Sequence, residues 1–327
     1  AYRTVRRIRE QFDSLPEDLS ALPPARAEIA IVHDAASGQY HASRGSDALY
    51  LGTTRIHLAM TALGKNPDFL LMSETMDLSA YRVVFLPFCE HVPPRIAGLF
   101  REYVRSGGCL AASGHLNFLE ESGICRREVY PYAMTDLFGL EIAECRELLN
   151  SQTDANMGVF DISALPKSSV ELSCFGGTAR AERFVEELLP KGCSVLETLS
   201  SSCFCGSPLL TRHAFGNGVT FYLAAFLDVP GVRLAVRRIL NECGIPLPKT
   251  DLPPELSRIE RGGYRFYINS SSRTVEVEEI PSGRIVLGSP EFREGRTLLG
   301  PYEVLIVQSG THHAADIGCA PNGDKTA

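Results

Sequence analysis

Residues 81–114 read YRVVFLPFCEHVPPRIAGLFREYVRSGGCLAASG, and their period and punctuation imply a strand, a helix and a second strand. YRVVFLPF (81–88) is a short, nearly continuous apolar run, the pattern of a strand buried on both faces. Pro93 and Pro94 suit a helix start, where a missing N–H costs nothing. Ile96, Leu99, Phe100, Tyr103 and Val104 then follow i, i+3, i+4, i+7, i+8, one apolar stripe of a helix. Gly107 and Gly108 end that helix, and CLAAS (109–113) is the next buried strand. A strand, a covering helix and a second strand at this spacing form a βαβ unit, so the sheet is parallel.

The alternation extends to both sides. EIAIVH (28–33) and PDFLLM (67–72) read as strands, with a helix over about 46–63 between them. Two strand-like runs within PLLTRHAFGNGVTFYLAAF (208–226) flank Gly216-Asn217-Gly218, a β-hairpin signal. A helix follows over about 230–243, with Gly244 as its cap. Residues 150–180 show no clear period and read as loops with one or two short strands. The linker PLPKTDLPPE (246–255) is proline-rich, and the period beyond it becomes two. RFYIN, TVEVEEI, GRIVLG and YEVLIVQ form a small antiparallel β module, and 310–327 reads as a disordered tail. At the other end, residues 1–20 read as one amphipathic helix (Val5, Ile8, Phe12, Leu15) leading into the linker SALPPARA.

A net charge of −7 argues against a phosphate-backbone partner, which requires a basic face. Arg3, Arg6, Arg7 and Arg9 lie at helical spacing and read as a solvated helix face. No apolar run reaches membrane-spanning length and no signal peptide opens the chain, so no membrane partner is expected. The ten cysteines mostly sit inside apolar runs, as free thiols of a reducing cytoplasm do. The closest pair, Cys203 and Cys205, lacks a second pair to complete a zinc site, so neither a metal nor a cofactor is expected.

Strand ends of a parallel sheet are where chemistry is sought first. One end carries Cys89-Glu90-His91 and the other Ser113-Gly114-His115. Cys89 is a candidate nucleophile, although neighbours on an extended segment point to opposite sides. Ser113 stands where a nucleophile elbow places its serine, but no downstream acid–base pair follows, and His213 lies inside the hairpin. The acidic pairs Glu120-Glu121, Glu186-Glu187 and Glu278-Glu279 mostly read as solvated faces, not as carboxylates set across a glycosidic bond. The Gly-rich stretches at 106–108, 175–177 and 215–218 lack the spacing of a phosphate cradle. With no tryptophan and dispersed Tyr and Phe, a carbohydrate-binding module ranks last.

Taken in order, AEIAIVHD (27–34), DLSAYRVVFLPF (77–88), YVRSGGCLAASG (103–114), DLFGLEIAE (136–144), GSPLLTRHAFGNGVTFYLAAFLD (206–228), NECGI (241–245) and GPYEVLIVQ (300–308) resemble the C-terminal half of family 42 glycoside hydrolases. These are bacterial β-galactosidases. The resemblance implies a flavodoxin-like, class I glutamine-amidotransferase-like α/β domain at 28–245 that joins subunits into a homotrimer. It implies a small β domain at 251–309, with residues 1–27 as the helix and linker that end a catalytic barrel. The catalytic glutamates of the family belong to that upstream barrel, so no catalytic residue carries over. The β-galactoside substrate would be met only through the barrel. The loop 114–127 lacks the family's acidic pattern, so no residue here is expected to complete a neighbour's sugar site. The alternative is a stand-alone amidotransferase-like hydrolase using Ser113 or Cys89.

Overall fold

The computed structural model describes residues 2–22, 27–43, 47–148, 169–200, 204–277, 283–293 and 295–308. The predicted tail 310–327 lies outside them. The chain divides into two compact units, Arg26–Pro254 and a second built from Ala1–Ala25 with Glu255–Ala327.

In the second unit, α1 (Tyr2–Asp13) and α2 (Glu17–Ala21) replace the single helix expected over 1–20. Pro16 separates them, since its ring cannot continue a helix and supplies no N–H. The larger unit begins with β1 (Ile29–His33), α3 (Ala35–Ser43), α4 (Ala48–Ala62), β2 (Asp68–Leu71), β3 (Val83–Pro87), α5 (Pro94–Arg105) and β4 (Cys109–Ser113). It continues with α6 (Thr135–Phe138), β5 (Leu140–Glu147), β6 (Val170–Cys174), β7 (Gly177–Pro190), β8 (Ser194–Thr198), β9 (Pro208–Phe215), β10 (Gly218–Leu223), β11 (Ala225–Leu227) and α7 (Val229–Glu242). The remaining strands complete the second unit. They are β12 (Leu256–Arg261), β13 (Tyr264–Asn269), β14 (Val275–Val277), β15 (Arg284–Leu287), β16 (Glu291–Arg293), β17 (Arg296–Leu299) and β18 (Val304–Gln308).

The main sheet runs β2-β1-β3-β4-β10-β9-β8. Its first five strands are parallel and its last two pairings antiparallel. Period-two alternation sorts the strand side chains between two cores. Ile29, Ile31, Val83, Phe85, Ala111 and Phe221 face Ile56 and Met60 of α4 and Val232, Val236 and Ile239 of α7. The residues between them, Ala30, Val32, Val84, Leu86, Leu110 and Tyr222, face Ile96, Phe100 and Val104 of α5. Helices therefore cover both faces, as a buried parallel sheet requires. Asp228 caps α7 by accepting from Gly231 N–H at 2.9 Å.

In the stretch 150–180, which lacks a clear period, the described residues hold β6 and the start of β7. β6 and β7 form an antiparallel hairpin, and β7 pairs on with β5 and β11 in a second sheet. Residues 149–168 lie outside the described residues.

In the smaller unit, Leu19 of α2 packs against Tyr264 and Ile306, and the Tyr264 hydroxyl donates to Asp18 at 2.8 Å. Two antiparallel sheets, β12-β13-β18-β15 and β14-β17-β16, share this unit. Asn269, 1% exposed, is a polar hub of this module. Its amide donates to the carbonyls of Arg273 (2.7 Å), Leu299 (3.2 Å) and Gly300 (2.7 Å), and its oxygen accepts from Ser271 N–H at 2.9 Å. Asn269→Ala leaves these groups without their partner and is expected to cost about 3 kcal/mol. Urea unfolding followed on the smaller unit checks it, and a loss below about 1 kcal/mol would contradict the hub.

Candidate functional site

The C-terminal ends of β3 and β4 bring together the two strand-end motifs, and the second sheet closes over them. Phe88, His115 and Asn117 have positive φ, at 50°, 56° and 50°, so the backbone turns sharply at both ends. Gly114, between them at φ 40°, has no room for a side chain, because a Cβ would stand 2.5 Å from the Phe184 ring. The two loops are tied directly. Asn117 N–H donates to Cys89 O at 2.8 Å, Leu119 N–H to Glu90 O at 2.7 Å, and Asn117 Oδ1 accepts from Val92 N–H at 2.9 Å.

His115 is the centre of this arrangement. Its Nδ1 lies 3.2 Å from Glu90 Oε1 and its Nε2 lies 3.0 Å from Cys145 Sγ on β5. Its ring stacks on Phe184 at 4.3 Å, and its backbone N–H donates to Glu186 Oε1 at 2.8 Å. The Tyr222 hydroxyl donates to Glu186 Oε2 at 2.7 Å, and His41 Nε2 stands 3.6 Å from Glu90. Glu90 and Glu186 are each 1% exposed. Burial works to lower the His115 pKa, but its hydrogen bonds to Cys145 and Glu90, with the charges of Cys145 and Glu186, outweigh that and hold it at about 10. Burial pushes Glu186 upward against the opposing charge of His115, and pushes the Tyr222 phenol well up.

Glu186 is a correction to the solvated-face reading. Glu120 and Glu121 are exposed, Glu186 is buried, and Glu278-Glu279 lies outside the described residues. On β7 the side chain of Glu186 turns toward His115 and Tyr222, whereas the neighbouring Glu187 pairs with Arg146 at 2.9 Å on exposed ground.

Among the described residues, neither candidate nucleophile is hydrogen-bonded to a base. Cys89 is fully buried, its thiol 3.5 Å from Pro87 O, and burial, with the charges of Asp34 and Glu90, raises its pKa well above that of an ordinary thiol. Ser113 Oγ is buried without a hydrogen-bond partner among the described residues. It lines a cavity of about 30 Å³ whose walls include Phe85, Phe88, Ala112, Leu223 and Phe226. His213, at the far side of the hairpin, is engaged instead with Leu137 O through Nδ1 at 3.0 Å.

A hydroxyl in apolar surroundings without a partner costs stability. Ser113→Ala is therefore expected to be neutral or to stabilise by up to about 1 kcal/mol. Chemical denaturation of the two proteins checks this, and a clear loss would show that the hydroxyl has a role.

Residues 27–246 match the family model described as the β-galactosidase trimerisation domain. The chain belongs to that family. The β-galactosidase Pbg of Clostridium perfringens is 25% identical over 243 residues, covering 71% of this chain and 33% of that protein. A β-galactosidase of an Arthrobacter species is 27% identical over 252 residues, covering 75% and 33%. Among solved structures, the β-galactosidase of Bacillus circulans sp. alkalophilus superposes with a TM-score of 0.74 at 18% identity, over 94% of this chain and 45% of that one. The enzyme of the psychrophilic Marinomonas ef1 gives a TM-score of 0.72 at 20% identity, over 93% and 42%. The chain spans about a third of the length of the curated relatives it matches, so it corresponds to a partial region of the family 42 β-galactosidases.

Within this trimerisation domain, the sequence pointed to both strand ends but not to their partners. Cys145 and Glu186 enter from β5 and β7, on either side of the stretch 150–180 that shows no clear period. The available signal was the parallel pairing of β3 with β4, whose ends lead into Glu90-His91 and Gly114-His115 and put a carboxylate and an imidazole within reach.

Proposed function

We propose that this chain is the non-catalytic assembly region of a β-galactosidase, holding three subunits together while an upstream barrel hydrolyses terminal β-galactosides. The observation that carries the reading is the family match across 27–246, the whole of the larger unit's described core. The parallel strands support the finer fold assignment. Across the sheet they run β2-β1-β3-β4-β10, which, numbered along the chain, is the 2-1-3-4-5 order of flavodoxin-like sheets. A class I amidotransferase-like fold without its cysteine nucleophile fits, because Ala112-Ser113-Gly114 occupies the elbow. On this reading 1–27 is the end of a barrel, 28–245 the trimerisation domain and 251–309 the small β domain, in a cytoplasmic protein.

Exposed apolar side chains add support. Tyr50 is 72% exposed, and Phe69 and Leu71 are 54% and 62% exposed on β2, the terminal strand of the main sheet. An interface cut open leaves such surface. On α1, Val5, Ile8 and Phe12 form an exposed apolar stripe, as a helix taken from the outer ring of a barrel would present. The hydrolase alternative is not favoured, since Ser113 Oγ has no hydrogen-bonded base among the described residues and burial raises the pKa of the Cys89 thiol well above that of an ordinary thiol.

Light scattering after size-exclusion chromatography tests the proposal. A closed trimer has three times the mass of the 35.8 kDa chain, about 107 kDa. That mass, with no hydrolysis of an aryl β-galactoside, is the expected result. A monomer at all concentrations would overturn the assembly reading.

A further inference from the structure

The cluster around His115 is used by neither the assembly reading nor the hydrolase alternative, yet its donor atoms converge. One atom each from His115, Cys145 and Glu186 lies within 4.8 Å of the other two. Imidazole, thiolate and carboxylate together are a donor set for a borderline-soft divalent cation of the zinc class.

The surroundings are those that metal ligands require. Glu90 Oε1 lies 3.2 Å from His115 Nδ1, so it can hold the proton on that nitrogen and leave Nε2, which faces Cys145, as the ligand atom once a metal displaces its proton. Tyr222 O–H and His115 N–H each donate to one oxygen of Glu186, orienting a carboxylate whose oxygens keep further lone pairs. Phe184 stacks on the imidazole and holds its plane. Glu90 and Glu186 are buried beside a thiol around His115, and a divalent cation bound there would take over from the imidazolium in offsetting their charge, releasing the His115 and Cys145 protons.

We propose that His115, Cys145 and Glu186 bind one zinc-class divalent cation, with water in the fourth position and Glu90 and Tyr222 as the outer hydrogen-bonding partners. Such an ion would staple the end of β4 to β5 and β7 of the second sheet. The three ligands are separated by 30 and 41 residues, and only the fold brings them together.

The test is a Co²⁺ titration of the full chain, reduced and stripped of metal beforehand, with Co²⁺ as the only added ligand. Expected are one equivalent bound per chain, a sulfur-to-cobalt charge-transfer band, and visible bands of tetrahedral intensity. Cys145→Ser should abolish the charge-transfer band, and Glu90→Gln should weaken binding about 10-fold or more. Cys205→Ser, at an exposed thiol, should leave both unchanged. Circular dichroism of each variant checks folding. If Cys145→Ser does not fold, Glu186→Gln, which keeps an acceptor for Tyr222, takes its place, with weakened Co²⁺ binding expected. Absence of saturable one-per-chain binding overturns the proposal. So does a band that survives Cys145→Ser, or binding unaltered by Glu186→Gln in its place. Oligomeric mass is not read in this experiment, so its failure would leave the assembly reading standing.

Discussion

Gly218→Ala is expected to destabilise the Arg26–Pro254 unit by about 3 kcal/mol or more, although it adds a single methyl group. A Cβ built at Gly218 stands 2.2 Å from Val104 O and 2.3 Å from Gly108 O, far inside contact distance. Neither carbonyl is free to withdraw. Val104 O accepts from Gly107 N–H at 3.0 Å at the end of α5, and Gly108 O accepts from Val219 N–H at 3.2 Å. Relief would have to pull the β9–β10 hairpin away from α5, loosening the pairing of β10 with β4 across Val219 to Leu223. In a domain of this size the loss corresponds to a melting midpoint lower by roughly 6–12 °C.

Gly98→Ala is the control of opposite sign. Gly98 is exposed on α5 with nothing near its Cβ position, so alanine there should stabilise by about 0.5–1 kcal/mol. Denaturant unfolding of both variants decides. A Gly218→Ala protein within about 1 kcal/mol of the parent would show that the hairpin does not pack on α5 as described.

The same glycine marks the limit of the sequence reading. The Gly216-Asn217-Gly218 hairpin was legible because turn chemistry is local. The requirement for glycine at 218 was not, because its cause is a helix end more than a hundred residues earlier. The parallel strands and α5 were readable for the same local reason, with each apolar run or stripe facing a core. Helix α3 escaped because its buried face is polar. Ser37 and His41 are its buried residues, and Asp34 accepts from Ser37 N–H at 2.8 Å at its start. Strand β7 escaped because its buried positions, including Glu186, do not alternate cleanly with exposed ones. The His115 cluster was half visible. Glu90 and His115 sit on strand ends that the parallel pattern makes neighbours, whereas Cys145 and Glu186 come from a sheet the pattern did not show.

Phe226→Ala should cost about 4 kcal/mol, the range for removing a large buried aromatic. Phe226 is 1% exposed, with Phe88 at 5.1 Å and Phe184 at 6.0 Å between ring centroids. Two guanidinium groups lie over its ring, Arg55 at 4.6 Å and Arg183 at 4.9 Å. Both are held from outside, Arg55 by Leu227 O at 2.6 Å and Arg183 by Asp47, so they are poorly placed to collapse into the space. The cavity would also leave two partly desolvated cations without the ring face that attracts them. Phe226→Leu keeps most of the volume and should cost about 1.5 kcal/mol. The difference between the variants measures what the aromatic face adds beyond filling space. Because Phe184 touches Phe226 at one edge and stacks on His115, the alanine variant should also loosen the imidazole, seen as a broadened His115 resonance in NMR. Equal losses for the leucine and alanine variants would show that the rings and guanidinium groups do not act as one cluster.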